Sequence, residues 1–540
     1  MHFRNHSPLA AFVVAAITLT SAAATLAANT ARPAATNPVP GVQPWQPAPP
    51  RYNEAPEFWR SYFLKAREAD AIADPMQRCL AFPPIPGSRW PANLIPAHCE
   101  YIFGLDLSLD KIKQHLDAND VAGLEAIFRK LHDRHFSETD FSEHIHSALE
   151  LFDGDYKSGA ISKRWLDAAP DSPFAMTARA DFYRGMGWAA RGGAYSRDTP
   201  TEQVARMHEF HNKAKALYEQ ALAKEPQLMH AHAGLVNLAR NGNSDAVFEA
   251  GYRIDPACKV LLSNQMLSLL PRWGGSYAEM FALEAKMLAH LDQRPLLALS
   301  RIWPYDDMRD VAYAADQYAD AVAALKPMVA VSSSPQVYED LAAAMHSVKD
   351  ADRWEQLAYM VQVTRFRTGD GWDSRQRGRL QLLLAGDAEL ANRSLAAAVK
   401  AEPDNFYAHY LYAASFGRLG KINEAEREYL VAMKDTPESN NHRDGLIELA
   451  DLMLHARRGA KARAYAKQAI TEYPDDARAW RVHVGAIGID GSPMAPLRKA
   501  LETFLAKVDQ SDVRFKQDIE ESRKALAHMR EVTEKSGGKW

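Results

Sequence analysis

The sequence is poor in cysteine, has no excess of basic residues and lacks long apolar runs beyond its amino terminus. Only three cysteines occur among 540 residues, and none belongs to the short paired spacings that zinc-binding domains use. The formal net charge of −4 argues against nucleic acid as a partner, because nucleic-acid binding needs a basic surface. After residue 27 no apolar run is long enough to indicate a membrane span.

Sequence patterns of common catalytic sites are also missing. The chain contains neither a Gly-x-Ser-x-Gly turn around a nucleophile nor a glycine-rich phosphate loop followed by lysine and serine. Carboxylate pairs such as Glu520–Glu521 fall on a polar terminal helix, where solvation explains them. We therefore expect no cofactor and interpret the protein as a non-enzyme.

Residues 1–27 have the composition of a secretory signal peptide. Arg4 and the amino terminus precede the apolar run Leu9–Leu19, and small residues follow. The pattern predicts cleavage near Ala24 or Ala27. The mature chain is then expected in a bacterial periplasm or outside the cell.

Residues 28–56 contain eight prolines, which is typical of an extended linker. The following segment, 57–104, is predicted to form an amino-terminal cap with a disulfide between Cys79 and Cys99. An oxidising compartment favours that pairing. The remaining cysteine, Cys258, falls in an apolar helix and is expected to be a buried thiol.

A repeated pattern covers residues 379–474. Pro403, Pro437 and Pro474 lie 34 and 37 residues apart, and an alanine stands five and twelve positions before each of them. The residues seventeen positions before these prolines are Gly386, Gly420 and Arg457. A fixed period of this length predicts stacked helical hairpins, with alanine where helices cross closely and glycine at the turns.

The best-preserved unit is 406–439. Its characteristic positions hold His409, Tyr412, Ala413, Phe416, Gly420, Ala425, Tyr429, Ala432 and Pro437. In the next unit Trp480 stands at the position of His409. These residues match the signature of the tetratricopeptide repeat, and the chain resembles that family over about 375–490. The resemblance implies an all-α solenoid of helical hairpins that binds a protein or peptide partner.

Degenerate copies of the pattern extend into the first half of the chain. Ala214, Tyr218 and Ala221 stand twelve, eight and five positions before Pro226. Apolar periodicity predicts helices that include 201–224, 307–325 and 335–347. The expected division is a degenerate repeat domain over 105–304, tetratricopeptide-like repeats over 305–490 and carboxy-terminal capping helices over 491–540.

Two glycine-containing segments, Arg184–Gly193 and Arg272–Ser276, interrupt the helical pattern. The second reads Arg-Trp-Gly-Gly-Ser, and Ser276 with Glu279 predicts a capped helix start. Through these segments, residues 116–303 resemble a bacterial domain family of unknown function. That resemblance implies no chemistry.

The same two segments supply a candidate anion site. If they lie side by side, the positively charged and aromatic residues Arg184, Arg191, Arg272 and Trp273 form a pocket for an anion or a carboxylate.

The inner helices of the predicted stack carry the other candidate partner-binding residues. These are Asn237 and Arg240 in the first half, and Tyr407, Tyr410, Arg478 and Arg481 in the second. Aromatic and arginine side chains on a rigid wall suit the capture of an extended peptide. Ala233 stands where the resemblance places the lysine of a carboxylate clamp, which argues against a clamp for a free C-terminus.

Two further functions stay open. The histidines His132, His135, His144 and His146 lie near acidic residues, so a metal-dependent hydrolase is one alternative. The region lacks the spacing of a helical zinc protease, and a solvated polar face is the favoured interpretation. A scaffold that assembles with copies of itself is the other alternative.

Overall fold

The computed structural model describes residues 48–138, 143–194, 198–240, 244–367, 371–434, 440–488 and 494–535. Over these ranges the chain is all-α, with short 3₁₀ segments and no β-strand. None of the helices in this part of the chain is long and apolar enough to cross a membrane. The predicted signal peptide and most of the predicted linker lie outside the described residues.

The first thirteen α-helices build the amino-terminal half. They are α1 (Glu57–Asp70), α2 (Pro75–Ala81), α3 (Leu94–Phe103), α4 (Leu109–Asp117), α5 (Val121–Ser137), α6 (His144–Glu150), α7 (Tyr156–Ala168), α8 (Pro173–Arg191), α9 (Thr201–Lys224), α10 (Met229–Leu238), α11 (Asp245–Tyr252), α12 (Lys259–Ser268) and α13 (Tyr277–Leu288).

The second thirteen follow a 3₁₀ segment, Pro295–Ile302. They are α14 (Trp303–Ala314), α15 (Tyr318–Leu325), α16 (Pro335–Ser347), α17 (Arg353–Phe366), α18 (Gly371–Leu383), α19 (Ala388–Ala401), α20 (Phe406–Arg418), α21 (Ile422–Met433), α22 (Asn440–His455), α23 (Gly459–Glu472), α24 (Ala477–Gly488), α25 (Met494–Lys507) and α26 (Lys516–Lys535).

From α14 onward, neighbouring helices pair as successive hairpins. The turns of three hairpins contain Gly386, Gly420 and Arg457, each with a positive φ, of 65°, 71° and 56° respectively. Asp316, between α14 and α15, has the same conformation with φ 56°. A left-handed residue after the first helix reverses the chain within a few residues. These equivalent turns confirm the predicted helical-repeat fold.

The alanines of the predicted pattern lie where the helices of each hairpin meet. Each of the six has no exposed surface: Ala391, Ala398, Ala425, Ala432, Ala462 and Ala469. A methyl side chain lets two helices approach closely and keeps helix propensity high. In the first half, Ala214, Tyr218 and Ala221 are equally buried, so the degenerate copy has the same packing.

One hydrogen bond recurs in units that are far apart in sequence. His232 Nε2 donates to Pro226 O at 3.0 Å, and His409 Nε2 donates to Pro403 O at 3.0 Å. In the third case Trp480 Nε1 donates to Pro474 O at 2.8 Å. Histidine and tryptophan therefore make the same ring N–H to proline carbonyl bond at this position. The bond ties the end of the second helix of one unit to the first helix of the next.

The segment expected as an amino-terminal cap packs against the middle of the stack. Tyr62 of α1 donates a hydrogen bond to Gln362 Oε1 at 3.2 Å, and Arg67 forms an ion pair with Asp387 at 2.8 Å. Tyr62 also shares a hydrophobic cluster with Tyr338 and other residues of α16 and α17. These contacts place α1 against α16–α19, which follow it in the sequence by about 300 residues.

The disulfide prediction is confirmed. Cys79 of α2 and Cys99 of α3 are bonded, with their Cα atoms 5.8 Å apart. Arg365 of α17 donates from Nε to Cys79 O at 2.8 Å, so the bridged pair of helices is fixed to the stack. Cys258 is a free and buried thiol, as predicted.

Candidate functional site

A cavity of about 810 Å³ lies between the two halves of the chain. Its walls come from α3, α8 and α12, from the ends of α10 and α17, and from the starts of α14 and α16. The residues that line it include Trp188, Arg191, Arg240, Lys259, Arg272, Trp273, Trp303 and Asp310. Both glycine-containing segments predicted from the sequence reach this cavity.

Tryptophan and arginine side chains alternate along one wall. The rings of Trp188 and Trp273 lie 6.2 Å apart. The Arg191 guanidinium lies 5.6 Å from the centre of the Trp273 ring, and the Arg240 guanidinium lies 5.4 Å from that of Trp188. Such cation–π contacts hold the guanidinium planes against the wall. The structure thus brings Arg191 beside the Arg272–Ser276 turn, as the pocket hypothesis requires.

The turn at Arg272–Ser276 has a conformation that depends on its glycines. Gly274 has φ 95°, where residues with a side chain are strained. A Cβ at Gly275 would lie 2.2 Å from Leu269 O. Ser276 accepts from the Glu279 amide at 3.3 Å and donates to Glu279 Oε2 at 2.7 Å, which is the predicted cap. The turn is therefore a rigid support for Arg272 and Trp273.

Arg240 is the most unusual charged residue of the cavity. Its side chain is 8% exposed, and no described residue accepts a hydrogen bond from its Nε or Nη2. Burial, and then the neighbouring cations Arg184 and Arg272, lower the pKa of Arg240 to about 10. A carboxylate or another anion in the cavity would satisfy this guanidinium.

The other predicted cation of the turn already has acidic neighbours. Arg272 lies 3.6 Å from Asp307 and 3.7 Å from Asp310. It is also half exposed, so water screens these pairs. Tyr277 donates to Asp307 at 2.9 Å. The charge of Arg272 is therefore compensated within the chain, unlike that of Arg240.

Arg184 does not reach the cavity. It is buried, and its guanidinium lies 3.2 Å from Asp181 and 3.6 Å from Asp153. Tyr218 donates to Asp181 at 2.6 Å, and His230 Nε2 lies 3.0 Å from the same carboxylate. The predicted placement of Arg184 beside the Arg272–Ser276 turn is therefore wrong, because Asp181 and Asp153 hold its guanidinium in the interior, whereas Arg191 at the end of α8 lies over the Trp273 ring.

The candidate residues of the second half are engaged within the chain. Arg478 donates to Asp444 at 2.8 Å, and Arg481 donates to Asp451 at 2.9 Å. These inward arginines are therefore already neutralised by carboxylates of the preceding unit.

The aromatic and amide candidates are placed differently. The rings of Tyr407 and Tyr410 are stacked with their centres 6.1 Å apart. Asn237 accepts from Trp188 Nε1 at 2.9 Å and donates to Asn264 at 2.8 Å. Asn237 thus positions the Trp188 ring at the cavity wall, and a direct role of either tyrosine in binding stays a prediction.

The histidine region differs from its favoured interpretation. His132, His135, His144 and His146 are all buried, so the expected solvated polar face is wrong. His135 and His146 lie together with Cys258, and one potential ligand atom of each is within 4.8 Å of the others. Sequence reasoning missed this cluster, because Cys258 follows His146 by 112 residues and only the fold joins them.

Other cavity residues also escaped the sequence analysis. Trp303 opens α14, and Lys259 opens α12, where its ammonium lies 3.4 Å from Glu143. His98 of α3 stacks on Phe366, with ring centres 3.8 Å apart. No local motif marks these residues, since they come from helices that are distant in sequence.

Comparison with known proteins adds little. No protein-family model matches the sequence, and no curated protein matches it; the resemblance of residues 116–303 to a bacterial domain family is therefore unconfirmed. Among solved structures, Cut9 of the APC/C hetero-tetramer Cut9–Hcn1 is 12% identical with a TM-score of 0.32, covering 88% of this chain and 97% of that chain. Yeast Tom70 is 12% identical with a TM-score of 0.23, covering 78% and 95%. The helical-repeat fold is therefore assigned from the hairpins of the structure itself.

Proposed function

We propose that this chain is an exported helical-repeat scaffold that binds a protein or peptide partner, and that an acidic group of the partner enters the cavity. The acidic group is a side-chain or C-terminal carboxylate that pairs with Arg240. The observation that carries this proposal is the buried guanidinium whose Nε and Nη2 find no acceptor among the described residues. Binding of a carboxylate there converts a destabilising charge into a hydrogen-bonded ion pair.

The surroundings of Arg240 support a peptide carboxylate. Trp188, Trp273 and Trp303 supply flat apolar surface in the same cavity, and aromatic residues beside arginine are the usual anchors of protein interfaces. Stacked hairpins also present a rigid wall that loses little entropy on binding. The resemblance to tetratricopeptide repeats favours the same class of partner.

Export is the second part of the proposal. The apolar run Leu9–Leu19 with its basic start supports it. The bond between Cys79 and Cys99 also supports it, because such bonds persist in oxidising compartments. Fractionation of cells producing the tagged chain tests this part, and a product that stays in the cytoplasm with an uncleaved amino terminus would refute it.

The binding experiment compares three forms of the purified chain on envelope extract. Wild type is expected to retain a partner that Arg240→Met loses. Arg206→Met is the matched control, because Arg206 is exposed on α9 and does not line the cavity. A peptide from the captured partner is then synthesised with its carboxylates free or amidated, and only the free acid should bind. Equal capture by wild type and Arg240→Met would refute the site.

A small carboxylate or phosphate compound is a second candidate ligand. The volume of about 810 Å³ falls in the range of small-molecule sites. Native mass spectrometry of the chain purified from its own envelope distinguishes the two. An added mass of a small compound, lost in Arg240→Met, would favour this second function over a peptide.

A further inference from the structure

Two histidines and one cysteine from three helices meet in the interior. His135 lies in the last turn of α5, His146 lies in α6, and Cys258 immediately precedes α12. Each is at most 2% exposed. One nitrogen or sulfur atom of each residue lies within 4.8 Å of the corresponding atoms of the other two. The cluster is thus preformed by the fold and closed to solvent.

The donor types, and the distance between the sulfur and one of the nitrogens, suit a zinc ion with three protein ligands. Zn²⁺ binds imidazole nitrogen at about 2.0–2.1 Å and thiolate sulfur at about 2.3 Å, so two such ligand atoms stand about 3.6 Å apart. Cys258 Sγ lies 3.9 Å from His146 Nε2. A shift of a few tenths of an ångström brings the two atoms to coordinating distance.

A carboxylate stands behind the His135 ring, and the ring of His230 stands behind His146. His135 Nε2 lies 2.9 Å from Asp255 Oδ2, and Asp255 is itself fixed by the amide of Ala257 at 2.9 Å. His146 Nδ1 lies 3.2 Å from His230 Nδ1. These contacts leave His146 Nε2 directed at the sulfur and provide the outer hydrogen bonds that orient ligand histidines in metal sites.

A metal ion that binds here would displace the proton of the Cys258 thiol and gain a thiolate ligand.

Positive charge near the cluster is balanced by acidic groups. Lys259 lies 3.4 Å from Glu143, and Arg294 lies 3.8 Å from Asp255. Neither cation is therefore an uncompensated charge facing the three donors. With these two pairs balanced, the thiolate of Cys258 is the negative charge that faces a divalent ion.

We propose that His135, His146 and Cys258 bind one zinc ion that joins α5 and α6 to α12. Phe128 of α5 and Leu149 of α6 belong to one hydrophobic cluster, whereas Leu261 and Met266 of α12 belong to another. The ion connects these two clusters.

Because Lys259 and Ser263 of α12 line the cavity, the ion also fixes one wall of the binding site. This role is structural, and it is independent of the proposed partner.

The first test measures zinc in the full chain purified from its own compartment by mass spectrometry of the metal. About one zinc per chain is expected in wild type, and loss of that zinc in Cys258→Ala and in His146→Gln. His132→Gln is the matched control, because His132 is buried one turn before His135 on the same helix but does not belong to the cluster. Equal zinc content in wild type and Cys258→Ala would overturn the assignment.

A second measurement does not depend on variants that fold poorly. Wild type freed of metal with a chelator is titrated with Co²⁺, and a thiolate-to-cobalt charge-transfer band is expected at one equivalent. Removal of zinc should also lower Tm by about 5–10 °C. Wild type that is purified without zinc and shows no such band would overturn the proposal. Copper found at the site in place of zinc would overturn the choice of ion.

Discussion

Arg240 combines a buried guanidinium with Nε and Nη2 atoms for which no described residue is an acceptor. Such a charge destabilises the folded chain, because burial removes its hydration and no described residue replaces it with a hydrogen bond at these two atoms. Arg240→Met keeps an unbranched stem beside Trp188 and removes the charge. We expect the free energy of unfolding without ligand to rise by about 1–3 kcal/mol, measured by urea denaturation.

The exposed Arg206 provides the control for this measurement. Arg206→Met on α9 should change the free energy of unfolding by less than about 0.5 kcal/mol. A gain in stability together with a loss of partner binding is the pattern of a residue kept for function. If Arg240→Met were less stable than wild type, the folded chain would already satisfy the guanidinium, and the reason for placing an anion there would disappear.

His211 predicts how the fold responds to acid. Its ring lies against the Trp188 ring, with centres 5.0 Å apart, and burial lowers its pKa from 6.5 to about 4. Below pH 6.5 the unfolded chain binds a proton that the folded chain does not, so acid favours unfolding. This group should therefore reduce the free energy of unfolding by about 1.4 kcal/mol per pH unit until about pH 4.

Urea denaturation of His211→Gln at several pH values checks this expectation. The variant should lose stability less steeply than wild type between pH 6.5 and 4. The same change at His208, which is exposed on the same helix, should leave the wild-type profile unaltered. Identical slopes in wild type and His211→Gln would show that the ring is protonated equally in the folded and unfolded chain.

Single residues were predictable from the sequence where a repeat constrained them. The buried alanines and the equivalence of His409 with Trp480 followed from spacing alone. The histidines around His135 were misplaced, because a helix face looks solvated until its packing partner is known. The burial of Cys258 was predicted correctly. Its contact with His146 was not predicted, because sequence spacing carries no information about contacts between residues 112 positions apart.

The turn between α22 and α23 contains Arg457 where equivalent hairpins contain glycine. Arg457 has φ 56°. The backbone amide of Arg458 donates to Met453 O at 2.9 Å, and in the equivalent turn the backbone amide of Lys421 donates to Phe416 O at 3.0 Å. A residue with a side chain in this conformation is strained by about 1–2 kcal/mol. Glycine avoids this strain, but it loses more conformational entropy on folding, so only part of the strain energy is gained as stability. We expect Arg457→Gly to be about 0.5–1 kcal/mol more stable than Arg457→Ala.

Comparing Arg457→Gly with Arg457→Ala isolates the backbone, because both variants lack the arginine side chain. Gly420→Ala introduces the same strain into the equivalent turn and should destabilise the chain by about 1–2 kcal/mol. Thermal denaturation of the three variants measures these differences. Equal stability of the glycine and alanine variants at position 457 would mean that the two turns are not equivalent.

Helices were predictable in position when their boundaries carried standard signals. The predicted ranges 201–224 and 335–347 coincide with α9 and α16. The range 307–325 was predicted as one helix but contains two, because Asp316 adopts the left-handed conformation without a glycine to mark it. Helix α7 was missed, although Asp155 and Ser158 form a capping box at its start.

The arrangement of the whole chain depends on contacts that no repeat pattern encodes. Arg51 donates from its amide to Ala385 O at 2.7 Å, and Asp70 lies 2.9 Å from Arg377. The amino-terminal segment, expected as a cap over 57–104, is therefore built into the middle of the stack. The cavity arises from the same long-range folding, because α3 and α16 contribute to its walls together with α8 and α12.

Removing residues 1–71 deletes α1 but leaves the disulfide-bonded helices α2 and α3 in place. Because Trp59, Tyr62 and Phe63 are buried against α16–α18, their loss uncovers apolar surface there. Repeat stacks respond locally, since each unit is stabilised by its direct neighbours. Hydrogen exchange should therefore show lost amide protection in α17–α19, with α4–α8 unchanged.

A chain that ends at residue 515 is the matched control for this truncation. It lacks α26, whose Ile519 packs with Phe504 of α25, and should lose protection around α25 while α17–α19 keep theirs. If removal of residues 1–71 instead exposed α4 and α5 first, the segment would act as a cap on the amino-terminal end. Loss in α17–α19 alone would show that the first helix of the chain stabilises its centre, next to the cavity.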